Sequence, residues 1–310
     1  MNTIILLSFF LLSSFAGAVE NTSGPSFLLE NRMAKEEADL KVVPGAEKKI
    51  IWFDPDHKFP TDYAILYLHG FSASRQEISP VTELVAKDIG ANFYATRFTA
   101  HAIQNPDAFA TVTAEDWYRD AEDALEVSKE IGKKTIIMAT STGTILATRL
   151  ALQNPEQVAA VVMISPNFGL RNPFSALLKL PAPISNLLAR VFLGQYRHWM
   201  AKNDGQAKYW DTKYNSHALV ELMRMVSWVQ AQDLHKLTVP VLMVYSPNDD
   251  VINPDVIPDR FKELGSTVKE LETWTVTNDH LIAGDIISPK GTQPLRERVV
   301  RFLRTALSPK

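Results

Sequence analysis

The chain has 310 residues, of which 46% are hydrophobic and 22% are charged, which is typical of a globular domain with a sizeable core. The formal net charge is −3 and the sequence has no block of Lys or Arg. We therefore expect no nucleic-acid partner, because such partners are usually bound by a basic face. The absence of cysteine excludes disulfides, thiolate metal sites and a lipid-modified N-terminal cysteine.

The first 18 residues have the features of a signal peptide. Residues 4–15 are almost wholly apolar or small, and Ala16-Gly17-Ala18 has the small-x-small form of a signal-peptidase site. We predict cleavage after Ala18 and export to the periplasm or the exterior. The alternative is an uncleaved N-terminal membrane anchor, although the apolar run is short for a spanning helix. No later segment reaches transmembrane length, so the mature chain is expected to have no stable membrane span.

An N-terminal arm of mixed polar and charged residues is predicted at 19–46, with a short helix near residues 32–40. A globular domain is predicted at 47–310, where segments of strand and helix character alternate. The predicted strands are 49–53, 63–68, 92–97, 135–139, 159–165, 239–245 and 270–276, and the predicted helices are 77–89, 114–131, 143–153, 255–264 and 294–307. This alternation indicates βαβ units and a mostly parallel sheet, hence the α/β class.

The alternation is interrupted between about residues 167 and 236, which is too long a stretch for a plain loop. We interpret this stretch as an inserted helical lid over the end of the sheet. It is rich in large apolar side chains, namely Phe168, Phe174, Phe192, Tyr196, Trp199, Tyr209, Trp210, Tyr214, Met223, Met225 and Trp228. Most of them are expected to form the core of the lid, and two or three are expected to line an apolar pocket.

Ser141 is the candidate nucleophile. It lies between a predicted buried strand and a predicted helix, and Ala139 and Gly143 supply the small residues that so tight a turn needs. The usual pattern has glycine at both places, so Ala139 departs from it. The hydroxyl would project from the carboxyl edge of the sheet, where the helix dipole favours an oxyanion. Taken alone, the motif also fits an ordinary strand-to-helix turn. Ser165 follows a strand too, but Pro166 replaces the helix there.

Two later strand ends supply a candidate acid and a candidate base. Asp249 lies just past the predicted strand at 239–245, and carboxylates at such ends often belong to sites. His280 follows the next strand at the same edge, and the pKa of histidine suits a general base. Asp250 competes with Asp249, because a pattern does not determine the register of a turn. Asp279 is adjacent to His280, but sequence neighbours rarely face each other productively.

The loop after the strand at 63–68 is the third feature. Gly70 frees the backbone to turn, so that the N–H of Phe71, together with the N–H of Thr142, would form an oxyanion hole. His69 could be mistaken for the base. We assign it to shaping this loop, since it precedes the nucleophile in the chain.

Together these motifs resemble the α/β-hydrolase family, and more narrowly its branch of monoacylglycerol lipases, carboxylesterases and serine aminopeptidase-like enzymes. The resemblance covers residues 48–307 and rests on His69-Gly70-Phe71, residues 139–143, Asn248-Asp249, Asp279-His280 and the pair Trp117 and Asp120. It implies an α/β-hydrolase fold, with a mostly parallel central sheet flanked by helices, and the chain order Ser, Asp, His. It also favours Asp249 over Asp250 as the acid.

The resemblance implies a Ser141-His280-Asp249 triad that hydrolyses carboxylic esters through an acyl-enzyme. The expected partner is a small apolar acyl ester with a short or medium chain, such as a monoacylglycerol or a lysolipid. No cofactor and no metal are expected, and the seven histidines show no ligand spacing. Two alternatives stay open. One is an exported aminopeptidase, in which Glu221 or Asp211 would hold a free N-terminus, and the other is a non-catalytic ligand-binding protein on the same fold.

Overall fold

The structure is a computed structural model, which describes residues 25–308. The predicted signal peptide, residues 1–18, lies outside the described residues. The strands are β1 (Lys49–Ile51), β2 (Thr61–Leu68), β3 (Asn92–Ala95), β4 (Gly132–Thr140), β5 (Val158–Ile164), β6 (Tyr196–His198), β7 (Lys213–Asn215), β8 (Val241–Tyr245) and β9 (Lys269–Thr273). The α-helices are α1 (Pro25–Glu37), α2 (Val81–Ile89), α3 (Ala114–Ile131), α4 (Gly143–Gln153), α5 (Ala182–Leu193), α6 (Asp204–Tyr209), α7 (His217–Gln230), α8 (Ile257–Lys262) and α9 (Pro289–Ala306).

The central sheet has seven strands in the order β1-β3-β2-β4-β5-β8-β9. Every neighbouring pair is parallel except β1 and β3, so the mostly parallel sheet that the sequence predicts is confirmed. In parallel strands the carboxyl ends meet at one edge. The pairing of Leu68 with Ala139, and of Thr140 with Ile164, brings the loops after β2, β4 and β5 together there. Strands β6 and β7 form a separate antiparallel ribbon.

Both faces of the sheet are buried, because successive residues of a strand point to opposite sides. In β2, Leu66 and Leu68 pack into the core that includes α3 and α4, whereas Ile65 and Tyr67 pack into the core that includes α2 and α9. The continuous apolar run of this strand is therefore explained by burial on both faces. The sheet with its two helical layers forms the support on which the site loops are held.

Helix α1 begins earlier than the helix predicted in the N-terminal arm, and it packs on the body of the protein. Leu29 and Met33 are buried in the same core as α3 and α4. Glu37 and Arg97 form a buried ion pair with an oxygen–nitrogen distance of 2.6 Å. This part of the arm is therefore anchored by apolar contacts and by charge.

The helix predicted at 77–89 is shorter in the structure. A 3₁₀ turn spans Arg75–Glu77, and α2 starts only at Val81. Pro80 accounts for the break, because proline lacks an N–H and restricts the residue before it. As a result Glu77 lies in the connection to α2, beside the loop that follows β2, and its carboxyl group turns inward.

The segment inserted between β5 and β8, residues 167–236, contains α5, α6, α7 and the ribbon of β6 and β7. Helix α7 is the part that joins the main core, where Met223 and Met225 are buried. Helix α5 lies further out and shows much of its apolar surface to solvent. Among residues 25–308, no helix combines the length and the apolar character needed to cross a bilayer.

Candidate active site

Ser141 lies at the sharp turn between β4 and α4, with a backbone φ of +52°. This left-handed conformation is uncommon outside glycine and marks a constrained turn. A Cβ atom at position 143 would lie 2.2 Å from the carbonyl oxygen of Leu68, so only glycine fits there. Ala139, the departure from the usual pattern, is fully buried within β4, and its methyl group belongs to the core. The turn therefore accommodates alanine before the serine.

The structure brings Ser141, His280 and Asp249 together from three separate loops. The Nε2 atom of His280 is 2.9 Å from the hydroxyl oxygen of Ser141, and its Nδ1 atom is 2.7 Å from Oδ2 of Asp249. The other carboxylate oxygen accepts the N–H groups of Val251 and Ile252 at 2.9 and 3.0 Å. Because the carboxylate accepts a hydrogen bond from Nδ1–H, the Nε2 lone pair faces the serine hydroxyl.

The environment of Asp249 keeps its carboxyl group ionised. Burial pushes the pKa of Asp249 upward, but the hydrogen bond and charge of His280 and two backbone N–H groups outweigh this effect. The pKa of Asp249 therefore lies below its ordinary value. An ionised carboxylate at this place holds the imidazole in one tautomer and stabilises an imidazolium. Arg171 also donates to the backbone oxygen of Asp249 at 2.8 Å, which ties down the turn.

The alternative residues have other positions. Asp250 is exposed and has no contact with the imidazole of His280 among the hydrogen bonds of the described residues, although it lines the adjacent cavity. Asp279 pairs with Lys202. Ser165 is buried, and its hydroxyl donates to the backbone oxygen of His280 at 2.6 Å. Ser165 therefore supports the loop that carries His280.

The predicted oxyanion donors, the N–H groups of Phe71 and Thr142, belong to loops that flank Ser141. Both residues line the cavity into which Ser141 opens. Thr142 is the N-cap residue of α4, where the helix dipole favours negative charge. A Cβ atom at Gly70 would lie 3.3 Å from Cβ of Ser141, so the absence of a side chain allows this close approach.

His69 holds the same loop from behind. Its Nδ1 atom donates to the carbonyl oxygen of Gly70 at 2.8 Å, and its Nε2 atom accepts the N–H of Phe98 at 3.2 Å. Burial lowers the pKa of His69 to about 4, so the ring is neutral near pH 7. The carbonyl of Gly70 and the N–H of Phe71 belong to one planar peptide. The hydrogen bond from His69 therefore fixes the direction of the Phe71 N–H.

Trp117 and Asp120, which contributed to the resemblance, support that arrangement from α3. The indole N–H of Trp117 donates to the carbonyl oxygen of Thr99 at 3.1 Å. The carboxylate of Asp120 accepts the N–H of Thr99 at 2.6 Å. Thr99 directly follows Phe98, the hydrogen-bond donor to His69. The pair thus anchors the loop after β3, which contacts the loop of His69, Gly70 and Phe71 through Phe98.

Glu77 also belongs to the site, although no sequence motif indicates it. Its Oε1 atom accepts the N–H of Gly70 at 2.6 Å and the hydroxyl proton of Tyr67 at 2.7 Å. Burial raises the pKa of Glu77 to about 7. The hydrophobic pattern predicts that Glu77 begins a helix. The only signal in the sequence that links it to the site is its closeness to His69-Gly70-Phe71. Its burial depends on contacts that local patterns do not reveal.

A cavity of about 420 Å³ opens beside Ser141. Its apolar lining comes from both the sheet domain and the inserted segment, namely Phe71, Leu170, Trp199, Met200, Trp210, Tyr214, Leu219, Leu222, Val251, Leu281 and Ile287. Three of the aromatic residues of the inserted segment therefore line the cavity. Phe168 and several others are core, as expected, whereas Phe192 is exposed.

Glu221 and Asp211, the carboxylates considered for an aminopeptidase, make other contacts. Glu221 pairs with Arg224 and accepts the N–H of Ala114 at 3.1 Å. Asp211 accepts the N–H of Ala102 at 2.9 Å, and burial raises its pKa to about 7. Neither is among the described residues that line the cavity. Neither is therefore placed to hold the free N-terminus of a peptide there.

Comparison with known proteins places this geometry in context. The sequence model of the family described as serine aminopeptidase, S33, matches residues 60–277. A thermostable monoacylglycerol lipase from Bacillus sp. (strain H-257) is 24% identical over 210 residues, which cover 67% of this chain and 78% of that protein.

Solved structures give the same result for the fold. A structure described for the metagenome-derived lipolytic enzymes LipS and LipT matches with a TM-score of 0.69 and 22% identity, covering 85% of this chain and 99% of that one. A soluble variant of monoglyceride lipase from Saccharomyces cerevisiae, in complex with a substrate analogue, matches with a TM-score of 0.64 and 14% identity, covering 86% and 94%. The α/β-hydrolase fold that the sequence predicts is confirmed.

Proposed function

Because the chain belongs to the serine aminopeptidase S33 family of hydrolases, we propose that it hydrolyses carboxylic esters through an acyl-enzyme formed on Ser141. The observation that carries this proposal is the hydrogen-bonded series from Ser141 through His280 to Asp249, with distances of 2.9 and 2.7 Å. We assign Ser141 as the nucleophile, His280 as the general base and Asp249 as the group that orients and stabilises the base.

The first half of the reaction forms the acyl-enzyme. The hydroxyl oxygen of Ser141 attacks the ester carbonyl carbon while Nε2 of His280 accepts the hydroxyl proton. The carbonyl oxygen becomes an oxyanion, which the N–H groups of Phe71 and Thr142 stabilise by about 3 kcal/mol each. Asp249 stabilises the imidazolium at the same time. The bond to the alcohol then breaks, and the imidazolium gives its proton to the departing alcohol oxygen.

The second half repeats the proton transfers with water. A water molecule gives a proton to His280 and attacks the acyl carbon, and the same two N–H groups stabilise the second oxyanion. The bond to the oxygen of Ser141 then breaks, and the imidazolium returns the proton to that oxygen. The products are the carboxylic acid and the free enzyme, so the balance requires only ester and water.

The cavity supports short or medium acyl chains as substrates. Its volume of about 420 Å³ lies near the lower end of the range for small-ligand pockets, which is roughly 300–1,000 Å³. Much of its lining is aromatic and aliphatic, which favours an apolar acyl group. Polar groups such as Arg197, Gln206 and Asp250 occur in the lining as well, and these fit a polar alcohol portion. Monoacylglycerols and lysolipids have both features.

The test combines covalent labelling with a substrate series. We expect a fluorophosphonate probe to label the wild-type chain at Ser141, and a p-nitrophenyl ester series to show its highest kcat/KM at a short or medium acyl chain. Ser308→Ala, which changes an exposed serine just after α9, serves as the control and keeps the label. A wild-type chain that takes no label at Ser141 and hydrolyses no ester contradicts the proposal.

The two alternatives give different results in the same assays. Faster turnover of aminoacyl amides than of matched esters favours an aminopeptidase. Tight binding of an acyl ligand, without turnover and unchanged in Ser141→Ala, favours a non-catalytic binding protein.

We also propose that the enzyme acts outside the cytoplasm. The support is the apolar run at residues 4–15, followed by the small residues Ala16, Gly17 and Ala18. N-terminal sequencing of the protein from its native host tests this, with Val19 expected as the first residue. A chain that retains Met1 and sediments with membranes favours the N-terminal anchor instead.

A further inference from the structure

The inserted segment carries an unusual exposed apolar surface. We call it the α5 surface and define it by Leu177, Leu180, Ile184, Leu187, Val191, Phe192, Leu193 and Met200, all of them exposed. Phe192 is 71% exposed and Met200 is 86% exposed. Only seven further large apolar side chains are exposed over the rest of the described residues. Concentrations of this kind mark interaction sites for proteins or membranes.

Helix α5 shows that the exposure is one-sided. Ile184, Leu187 and Val191 are spaced three and four residues apart, so they share one face, and each is at least half exposed. Ser185 and Ala189, on another face, are buried. The helix is therefore packed against the protein on one side, while its outer side is apolar where an ordinary surface helix is polar.

The stretch of chain that carries this surface has basic residues but no acidic ones. Between residues 171 and 202 the sequence has five basic residues and no Asp or Glu, although the whole chain has a net charge of −3. These five are Arg171, Lys179, Arg190, Arg197 and Lys202. Arg190 and Arg197 are exposed and form no ion pair with any described residue. Apolar side chains combined with free cations are typical of segments that bind an anionic lipid interface.

The α5 surface also adjoins the cavity beside Ser141. Met200 belongs to the surface and also lines the cavity. The neighbouring cation Arg197 lines the cavity too. Val251, which is exposed, lines the cavity as well. A ligand that leaves a lipid layer at this place would enter the cavity without first crossing bulk water.

From these observations we propose that the α5 surface docks on an anionic lipid layer, with the cavity mouth facing that layer. A second copy of the chain fits less well. A symmetric contact presents the same patch from both copies, so it would bring the two cationic segments face to face. Docking is a binding property that goes beyond ester hydrolysis and does not require that Ser141 be catalytic.

The experiment measures binding to vesicles of the Ser141→Ala chain, in which lipid is not hydrolysed. Both the full chain and the form that begins at Val19 are used, so that residues 1–18 are controlled for. We expect binding to phosphatidylglycerol vesicles to exceed binding to phosphatidylcholine vesicles by about tenfold or more, and to weaken as salt is added. The double variant Leu187→Ser, Phe192→Ser should lose about tenfold or more, because the apolar contacts are removed.

Phe59→Ser is the matched control. Phe59 is 70% exposed, but it precedes β2 and so lies at the opposite edge of the sheet from the cavity. This variant should bind vesicles as strongly as its parent. In an otherwise wild-type chain, the double variant should hydrolyse a soluble short ester normally and a vesicle-embedded monoacylglycerol more slowly.

Several results would overturn docking. The first is that the parent chain does not bind anionic vesicles, and the second is that Phe59→Ser loses as much vesicle binding as the double variant. The third is that the parent chain sediments as a dimer without binding vesicles, and that the double variant is a monomer. Failure of the proposed ester hydrolysis would instead appear as intact vesicle binding without turnover, so the two failures are distinguishable.

Discussion

The carboxyl edge of the sheet and the inserted segment meet across one cavity. The edge buries polar side chains, whereas the inserted segment exposes apolar ones. At the edge, Asp249, His69 and Glu77 are buried polar groups, each with hydrogen-bond partners at or below 3.2 Å. In the inserted segment, α5 exposes apolar side chains such as Leu187 and Phe192. The comparison indicates that atoms which need a fixed geometry are held by the rigid sheet, whereas the surface that meets other molecules is carried by the insertion.

The largest effect is expected from Ser141→Ala, which tests whether the chemistry resides at the edge. The variant should lose at least about 10⁴-fold in kcat with a soluble ester, because no other group can form the acyl-enzyme. Its thermal unfolding should stay close to that of the wild type. Retention of most of the activity would show that the nucleophile is not Ser141 and that the edge is not the site of the reaction.

The next effect separates two adjacent carboxylates. Asp249→Asn should reduce kcat by about 10³- to 10⁴-fold, because the amide no longer stabilises the imidazolium or its correct tautomer. Asp250→Asn is the matched control and should keep kcat within about threefold of the wild type, since this side chain lines the cavity without contacting the base. Steady-state kinetics with one soluble ester decides between them, and the reverse order of the two effects would show that Asp250 is the acid.

The buried carboxyl group of Glu77 should make the free energy of unfolding depend on pH. Burial raises the pKa of Glu77 from its ordinary 4.5 to about 7, so below pH 4.5 the group is protonated in both the folded and the unfolded chain. Between pH 4.5 and about pH 7, the unfolded chain loses this proton while the folded chain still retains it. The contribution of Glu77 to the free energy of unfolding therefore falls, by about 3 kcal/mol in total.

Glu77→Gln removes that contribution. Urea unfolding at pH 5, 6, 7 and 8 should show a smaller decline of the free energy of unfolding in the variant than in the wild type. Asp211→Asn, in the inserted segment, should change the slope with the same sign, because burial raises the pKa of Asp211 to about 7 as well. Parallel curves for Glu77→Gln and the wild type would show that the carboxyl group of Glu77 titrates normally.

The smallest effect is expected on the surface of the insertion. Leu187 is 61% exposed, so Leu187→Ala should change the free energy of unfolding by no more than about 0.5 kcal/mol. The matched change Leu146→Ala, in α4, removes a side chain that is 1% exposed and should cost about 3 kcal/mol, because it leaves a cavity in the core. Chemical unfolding of both variants gives the comparison. A large loss in Leu187→Ala would mean that α5 packs more tightly than its exposure indicates.

Local patterns in the sequence determined much of this protein. The buried run of β2 and the amphipathic period of α3 predicted elements within about two residues, and the tight turn at Ser141 followed from its small neighbours. The chain positions of Asp249 and His280 at strand ends placed them at one edge, because the carboxyl ends of parallel strands meet there. These features depend on residues close together in the chain, so pattern and turn chemistry suffice to find them.

Other features were decided only by the tertiary structure. Contacts between distant parts of the chain decided three of them. These are the approach of Asp249, and not Asp250, to the imidazole, the burial of Glu77 beside Gly70, and the outward apolar face of α5. A sequence pattern states that a carboxyl group or a leucine is present. Whether it meets an imidazole, a backbone N–H or solvent depends on the packing of segments that are far apart in the sequence, because desolvation and hydrogen bonding act through space.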